Sequence, residues 1–196
     1  MASRVEDYAM VGDLGSAALV GRDGSIDWLC WPRFDSDACF AALLGTPEHG
    51  RWQLAPQAQG IRVTRRYRPN TLILETRFET DEGAATLIDF MPPRRQHSHL
   101  IRIVKGEQGK IAFHSELILR FGNGAIVPWV TRVTMSLCAV SPAPTWPSCA
   151  HQRACAAKIS RPSVILLCNP EKRCHSRYPL RARTRTCPNR SMSSSP

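Results

Sequence analysis

Residues 17–30 read Ala17-Ala18-Leu19-Val20-Gly21-Arg22-Asp23-Gly24-Ser25-Ile26-Asp27-Trp28-Leu29-Cys30, two apolar runs parted by Arg-Asp-Gly-Ser. An Asp-Gly pair in that setting predicts a β-hairpin, because glycine enters the positive-φ region of a tight turn without steric cost. Pro32 stops the second strand, since proline has no N–H to give to a ladder. Asp35-Ser36-Asp37 then offers caps for a short helix through Ala38–Leu44, closed by Gly45 and Pro47.

Downstream, strands follow one another. Gly50–Ala55, Ile61–Tyr67, Thr71–Glu79, Ala84–Phe90, His99–Val104 and Lys110–Arg120 are each bounded by Gly, Pro, Asn or an Asp-Glu-Gly turn. The stretches 71–78 and 111–117 partly alternate apolar and polar residues, as half-buried antiparallel strands do. Strand spacing of roughly 10–13 residues with turn signals argues for a sandwich. The expected fold is all-β: an antiparallel β-sandwich with one short helix, followed by a largely unstructured tail.

The net charge of +10 hides an asymmetry. Residues 1–132 carry 16 Lys+Arg against 15 Asp+Glu, whereas residues 133–196 carry 10 against the single acid Glu171. All 12 Gly and all 6 Phe lie before residue 133, while 6 of the 8 Cys lie after it. We therefore divide the chain into a sandwich domain, 1–132, and a basic tail, 133–196. The first ten residues contain Glu6 and Asp7 and lead into no apolar core, so no secretory signal is visible. A cytoplasmic location with reduced thiols is the expectation.

The segment from Asp27 to Asp37 concentrates two Trp, one Phe, one Arg and three Asp. Aromatic faces stack on the apolar faces of sugar rings, while Asp and Arg can take hydroxyl pairs. We place the substrate-binding candidates here, on Trp31, Arg33, Phe34 and Asp35. Strand alternation sets Trp28 and Trp31 on opposite faces, so only one of them is expected to face a ligand. His97 and His99 are spaced to share a metal, but no third ligand accompanies them, and no metal or other cofactor is expected. Cys30 and Cys39 read as small buried hydrophobes. Arg65-Arg66-Tyr67-Arg68 and Arg94-Arg95 read as solvated strand and loop faces in a near-neutral domain. No catalytic residue is assigned, and no membrane partner is expected, because the apolar runs are too short to span a bilayer.

Several stretches together resemble the opening of bacterial glycoside hydrolase family 15 proteins of the glucoamylase/trehalase type. They are Val5-Glu6-Asp7-Tyr8-Ala9, Gly12-Asp13, Ala17–Val20 and the run Asp23–Ser36. Tyr67-Arg68-Pro69, Thr71–Thr76, Ile88–Pro93 and Val127-Pro128-Trp129-Val130 continue in the family's order. The resemblance covers about residues 4–132. It implies an N-terminal β-sandwich followed by an (α/α)6 barrel whose paired Glu residues hydrolyse trehalose or α-glucans with inversion, two carboxylates being held apart with water between them. No residue of this chain maps onto those Glu residues, so the expected state is an incomplete sandwich, inactive alone.

Beyond Arg132 the resemblance ends. Joining the last base of each codon to the first two of the next permits, through Pro142–Leu166, the string GPDMAVLRTPARVRGEDFTTVGDF, which has the Gly and acids of the missing strands. We expect residues 133–196 to be an out-of-frame tail whose charge carries no function. Two alternatives stand beside the hydrolase-fragment reading. One is a stand-alone carbohydrate-binding or interaction module. The other is a basic nucleic-acid-binding protein acting through the tail, although no nucleic-acid partner is expected. The sequence leaves oligomeric state and trehalose-versus-glucan specificity open.

Overall fold

The computed structural model describes residues 4–94, 98–134, 137–141 and 163–168. Thirteen strands are described: β1 (Tyr8–Gly12), β2 (Ala17–Gly21), β3 (Ser25–Cys30), β4 (Ala38–Phe40), β5 (Arg51–Pro56), β6 (Arg62–Tyr67), β7 (Leu74–Thr80), β8 (Gly83–Phe90), β9 (His99–Gly109), β10 (Phe113–Ile118), β11 (Trp129–Thr134), β12 (Leu137–Ser141) and β13 (Ser163–Cys168). One sheet runs β1-β2-β3-β5-β10, with β4 also paired to β3; a second runs β13-β9-β8-β7-β6; β11 and β12 form a separate hairpin.

The two large sheets pack face to face. Val11, Val20, Ile26, Leu29 and Trp52 of the first share a core with Leu74, Leu100 and Met91 of the second. Leu54 meets Phe78, Leu87 and Val104 in an adjoining cluster. Alternation dictates which residues turn inward: Trp52 and Leu54 on β5, Leu74, Thr76 and Phe78 on β7, and Leu100, Arg102 and Val104 on β9. On β8 all six residues from Ala84 to Asp89 are buried. Its outer face is covered by polar side chains: Thr86 donates to Glu107 (2.6 Å), which also receives Arg77 Nε (2.7 Å).

Arg102 and Asp89, partners across β9 and β8, lie fully buried on the inward face. Arg102 Nε and Nη2 grip the carboxylate at 2.8 and 3.2 Å. Nη1 donates to the Trp52 carbonyl and Nη2 to that of Gly24, both at 2.7 Å, and the guanidinium lies 5.1 Å from the Trp52 ring centroid. A buried charge is tolerated only when paired and hydrogen-bonded. Here the pairing also ties one sheet to the other.

The hairpin at Asp23-Gly24 forms as expected, with Gly24 at φ 80°. A Cβ on Gly24 would stand 2.4 Å from the Leu54 carbonyl, so the turn needs glycine for space as well as for φ. The helix expected through Ala38–Leu44 does not form. Residues Ala38–Phe40 are the strand β4, and only Ala42–Leu44 makes a single 3-10 turn. The five residues Ala38–Ala42 are all buried, a pattern that suits a strand covered on both sides, and β4 satisfies the Leu29–Cys30 edge of β3. Tertiary pairing overrides the helical leaning of the alanines.

At the far end, β11–β12 runs through the compositional boundary near 132, and β13 pairs with β9 in parallel, unlike its antiparallel neighbours. The remainder of the tail, where little structure was expected, lies outside the described residues. Among the described residues no helix is long and apolar enough to cross a membrane.

Candidate functional site

Three connections meet at one end of the sandwich: the β1–β2 turn (residues 13–16), the β3–β4 loop (31–37) and the segment leaving β8 (91–94). Asp13, almost wholly buried, organises the first. Its Oδ1 accepts the N–H groups of Gly15 (3.0 Å) and Ser16 (2.8 Å), closing a side-chain-capped turn that holds Leu14 at φ 71°. Arg94 reaches the same carboxylate twice, Nε to Oδ2 at 3.0 Å and Nη2 to Oδ1 at 3.1 Å, and its own N–H bonds the Asp13 carbonyl. Gly15 makes room for this pair, since a Cβ there would stand 2.7 Å from the guanidinium carbon. Burial alone would raise the Asp13 pKa. The Arg94 contact and the Gly15 and Ser16 amides outweigh burial and hold the carboxyl below its ordinary value.

The second loop hangs on the first. The Phe34 N–H donates to the Gly15 carbonyl at 3.1 Å, and the Ser16 hydroxyl to the Cys30 carbonyl. Within the loop, Arg33 Nε and Nη2 meet Asp35 Oδ1 and Oδ2 at 2.9 and 3.1 Å, in solvent. Ser36 Oγ accepts the Arg33 N–H, and Asp37 accepts from Asn123 Nδ2. Asp35, read from sequence as one of three helix caps, instead grips Arg33.

The four candidate sugar-binding residues therefore separate. Arg33, Phe34 and Asp35 face solvent, with Phe34 63% exposed, whereas Trp31 is 6% exposed within the main core cluster. Its indole Nε1 has no hydrogen-bond partner among the described residues. Trp28 is half-buried against Cys30, Ala38 and Ala41. His97 lies outside the described residues; His99 begins β9. No group of three or more His, Cys, Asp or Glu among the described residues is placed to hold a metal. Cys30 and Cys39 are free, buried and pushed up in pKa by burial, so neither thiol is primed as a nucleophile.

The arginine runs have local employment. Arg65 donates to the Val20 carbonyl of the opposite sheet, while Arg66 and Arg68 share Glu75. With Arg77, Lys105 and Glu107 the last three line a hollow of about 370 Å³ on the outer face of the β6–β9 sheet. Sequence reading missed the Asp13–Arg94 and Asp89–Arg102 pairs. A signal for each was present: Asp13-Leu-Gly-Ser is a turn composition, and Asp89 is an acid inside the apolar run 84–90.

The architecture is that of a two-sheet β-sandwich domain whose buried carboxylates, Asp13 and Asp89, are each gripped by an arginine. The chain belongs to the family described as trehalase-like, N-terminal, which it matches over residues 1–123. It is similar to a trehalase of Mycolicibacterium smegmatis, 38% identical over 79 residues, which are 40% of this chain and 12% of that protein. A trehalase of Mycobacterium tuberculosis is 34% identical over 93 residues, 47% of this chain and 14% of the relative. Trehalase 1 of Sulfolobus acidocaldarius is 33% identical over 129 residues, 65% of this chain and 22% of the relative. The chain thus spans less than a quarter of the length of these relatives. No solved structure matches it significantly.

Proposed function

We propose that this chain is the non-catalytic N-terminal sandwich of a trehalase-like glycoside hydrolase of family 15, whose complete form acts on trehalose or an α-glucan. The match over residues 1–123 to the trehalase-like N-terminal family carries this reading. The chemistry is consistent with it. Glycoside hydrolysis needs two carboxyl groups facing each other across room for a sugar and a water. The two buried carboxylates here are instead neutralised by Arg94 and Arg102 inside the fold. On this reading the loop from Trp31 to Asp35 is the part of the domain that reaches towards sugar. Residues 133–196 are read out of frame, which resequencing the gene across the Arg132 codon tests.

The purified chain is expected to release no glucose from trehalose or maltose. Release above the blank that a substitution in this chain abolishes would sink the reading. A second reading, a free-standing sugar-binding module, is favoured by exposed Phe34 beside the Arg33–Asp35 pair. Saturable quenching of tryptophan emission by trehalose, lost in Phe34→Ala, would support it over the first.

A further inference from the structure

Residues 1–132 carry 16 basic against 15 acidic side chains, yet one concave place on that domain is unbalanced. It lies on the outer face of the β6–β9 sheet, where pairing in register fixes which residues stand together. Thr64, Arg77, Thr86 and Lys105 form one row across the strands, and Arg66, Glu75 and Ile88 form the next. With Arg68 and Glu107 they line the hollow of about 370 Å³. Its charges fall into two groups. Glu75 accepts Arg66 Nε at 2.9 Å and Arg68 Nε at 2.7 Å. Glu107 accepts Arg77 Nε at 2.7 Å and the Thr86 hydroxyl at 2.6 Å, and Lys105 stands two residues before it on β9. Each group therefore sets two cations against one carboxylate. Glu79, which takes Arg77 Nη1, does not line the hollow, and Arg65, which does, is turned to the Val20 carbonyl.

These ion pairs position the arginines without exhausting them. Among the described residues their bonds leave Nη1 of Arg66, both Nη of Arg68 and Nη2 of Arg77 to another acceptor. The three side chains are 40–80% exposed. Arg68 and Arg66 hold the Glu75 carboxyl below its ordinary value, and Arg77 and Thr86 do the same for Glu107. Both carboxylates thus stay charged and keep the guanidiniums in place, which lowers the ordering cost of binding an anion. A concave surface with surplus positive charge also concentrates anions. The backbones of Arg66 and Lys105 lie three interstrand steps apart, roughly 14 Å at about 4.8 Å per step. Side chains lining the hollow from both ends shorten the span that a ligand must bridge. Between the two groups Thr64, Thr86 and Ile88 offer hydroxyl and apolar surface without charge.

We propose that this hollow binds a sugar-sized molecule with a phosphate group at each end, one facing Arg66 and Arg68 and the other Arg77 and Lys105. A phosphate monoester carries about two negative charges and three acceptor oxygens, which suits a pair of cations at each end better than a carboxylate does. The site shares no residue with the loop from Trp31 to Asp35, and it stands apart from the reading given under Proposed function.

The test is isothermal titration calorimetry of the full 196-residue chain in phosphate-free buffer. Fructose 1,6-bisphosphate is the probe; glucose 6-phosphate and inorganic phosphate are the one-ended comparisons. The bisphosphate is expected to bind one to one, and roughly tenfold or more tighter than either comparison, because its second anion is delivered by the first. Arg68→Gln and Lys105→Gln, one at each end, should each bring the bisphosphate down to the one-ended affinity. Arg62→Gln removes the same charge from β6 outside the hollow and should leave binding unchanged. The Tm of every variant is measured alongside, and Arg68→Lys and Lys105→Arg, which keep the charge, should restore most of the binding. Equal affinity for the bisphosphate and the one-ended ligands would overturn the two-ended site. No binding by the unaltered chain, or equal weakening by Arg62→Gln, would overturn the site itself.

Discussion

Two arginine–carboxylate pairs of nearly the same geometry do different work at the two levels of this sandwich. Arg102 and Asp89 are both completely buried, and Arg102 spends its remaining donors on carbonyls of the opposite sheet. Asp13 is as deeply buried, but Arg94 keeps about a fifth of its side chain in solvent, and the pair ties loops together. One pair is a condition of the two sheets meeting. The other decides what the end of the sandwich shows to its surroundings. Burial of both partners, more than bond length, separates a fold determinant from a surface determinant.

The largest expected effect falls on the inner pair. Arg102→Met removes four hydrogen bonds and strands the Asp89 carboxylate with the Trp52 and Gly24 carbonyls in the core. Breaking a buried pair from one side costs about 3–5 kcal/mol, which is much of a small domain's stability. Chemical denaturation should show a strong loss, and adding Asp89→Leu should recover part of it by removing the stranded charge. An unchanged denaturation midpoint in the single variant would show that the pair contributes nothing net.

The outer pair should matter less, and in a pH-dependent way. Asp13→Asn keeps the shape but weakens both the arginine contact and the two amide bonds, at a cost of about 1–3 kcal/mol near neutral pH. The folded pKa of Asp13 is depressed, so its contribution is fully present above the unfolded value of about 3.9 and is lost as pH falls through the lower folded value. The stability gap between the original chain and Asp13→Asn should therefore be constant from pH 7 to about 5 and close in more acidic solution. A gap that widened on acidification would contradict a depressed pKa.

The two pairs also differ in how far the sequence disclosed them. The hairpin at Asp23-Gly24 and most strand positions were legible, because turn residues and alternation are local signals. Strand β4 was not. Ala38–Leu44 is a short apolar run that periodicity cannot assign, and its pairing to β3 is settled by tertiary contact. Both ion pairs are non-local, joining positions 81 residues apart for Asp13–Arg94 and 13 apart for Asp89–Arg102. Of the candidate site, the loop from Trp31 to Asp35 could be located from its composition. Its division into a buried indole and three exposed side chains could not, because Trp31 lies past the end of β3, where strand alternation no longer dictates direction.

A third pair extends the comparison to full exposure. Arg33 and Asp35 make a bidentate contact as well formed as the others, yet both side chains are about 70% exposed. In water the attraction is screened, and holding two long side chains in one geometry costs rotamer entropy, so such pairs contribute about 0–1 kcal/mol. Arg33→Gln should shift the denaturation midpoint barely beyond error at 0.15 M salt, and by less still at 1 M, where the Debye length is about 3 Å. If Arg33→Gln proved as damaging as Asp13→Asn, exposure would not be what ranks the three pairs. Geometry alone would then have to explain the order, and geometry is the one property that all three share.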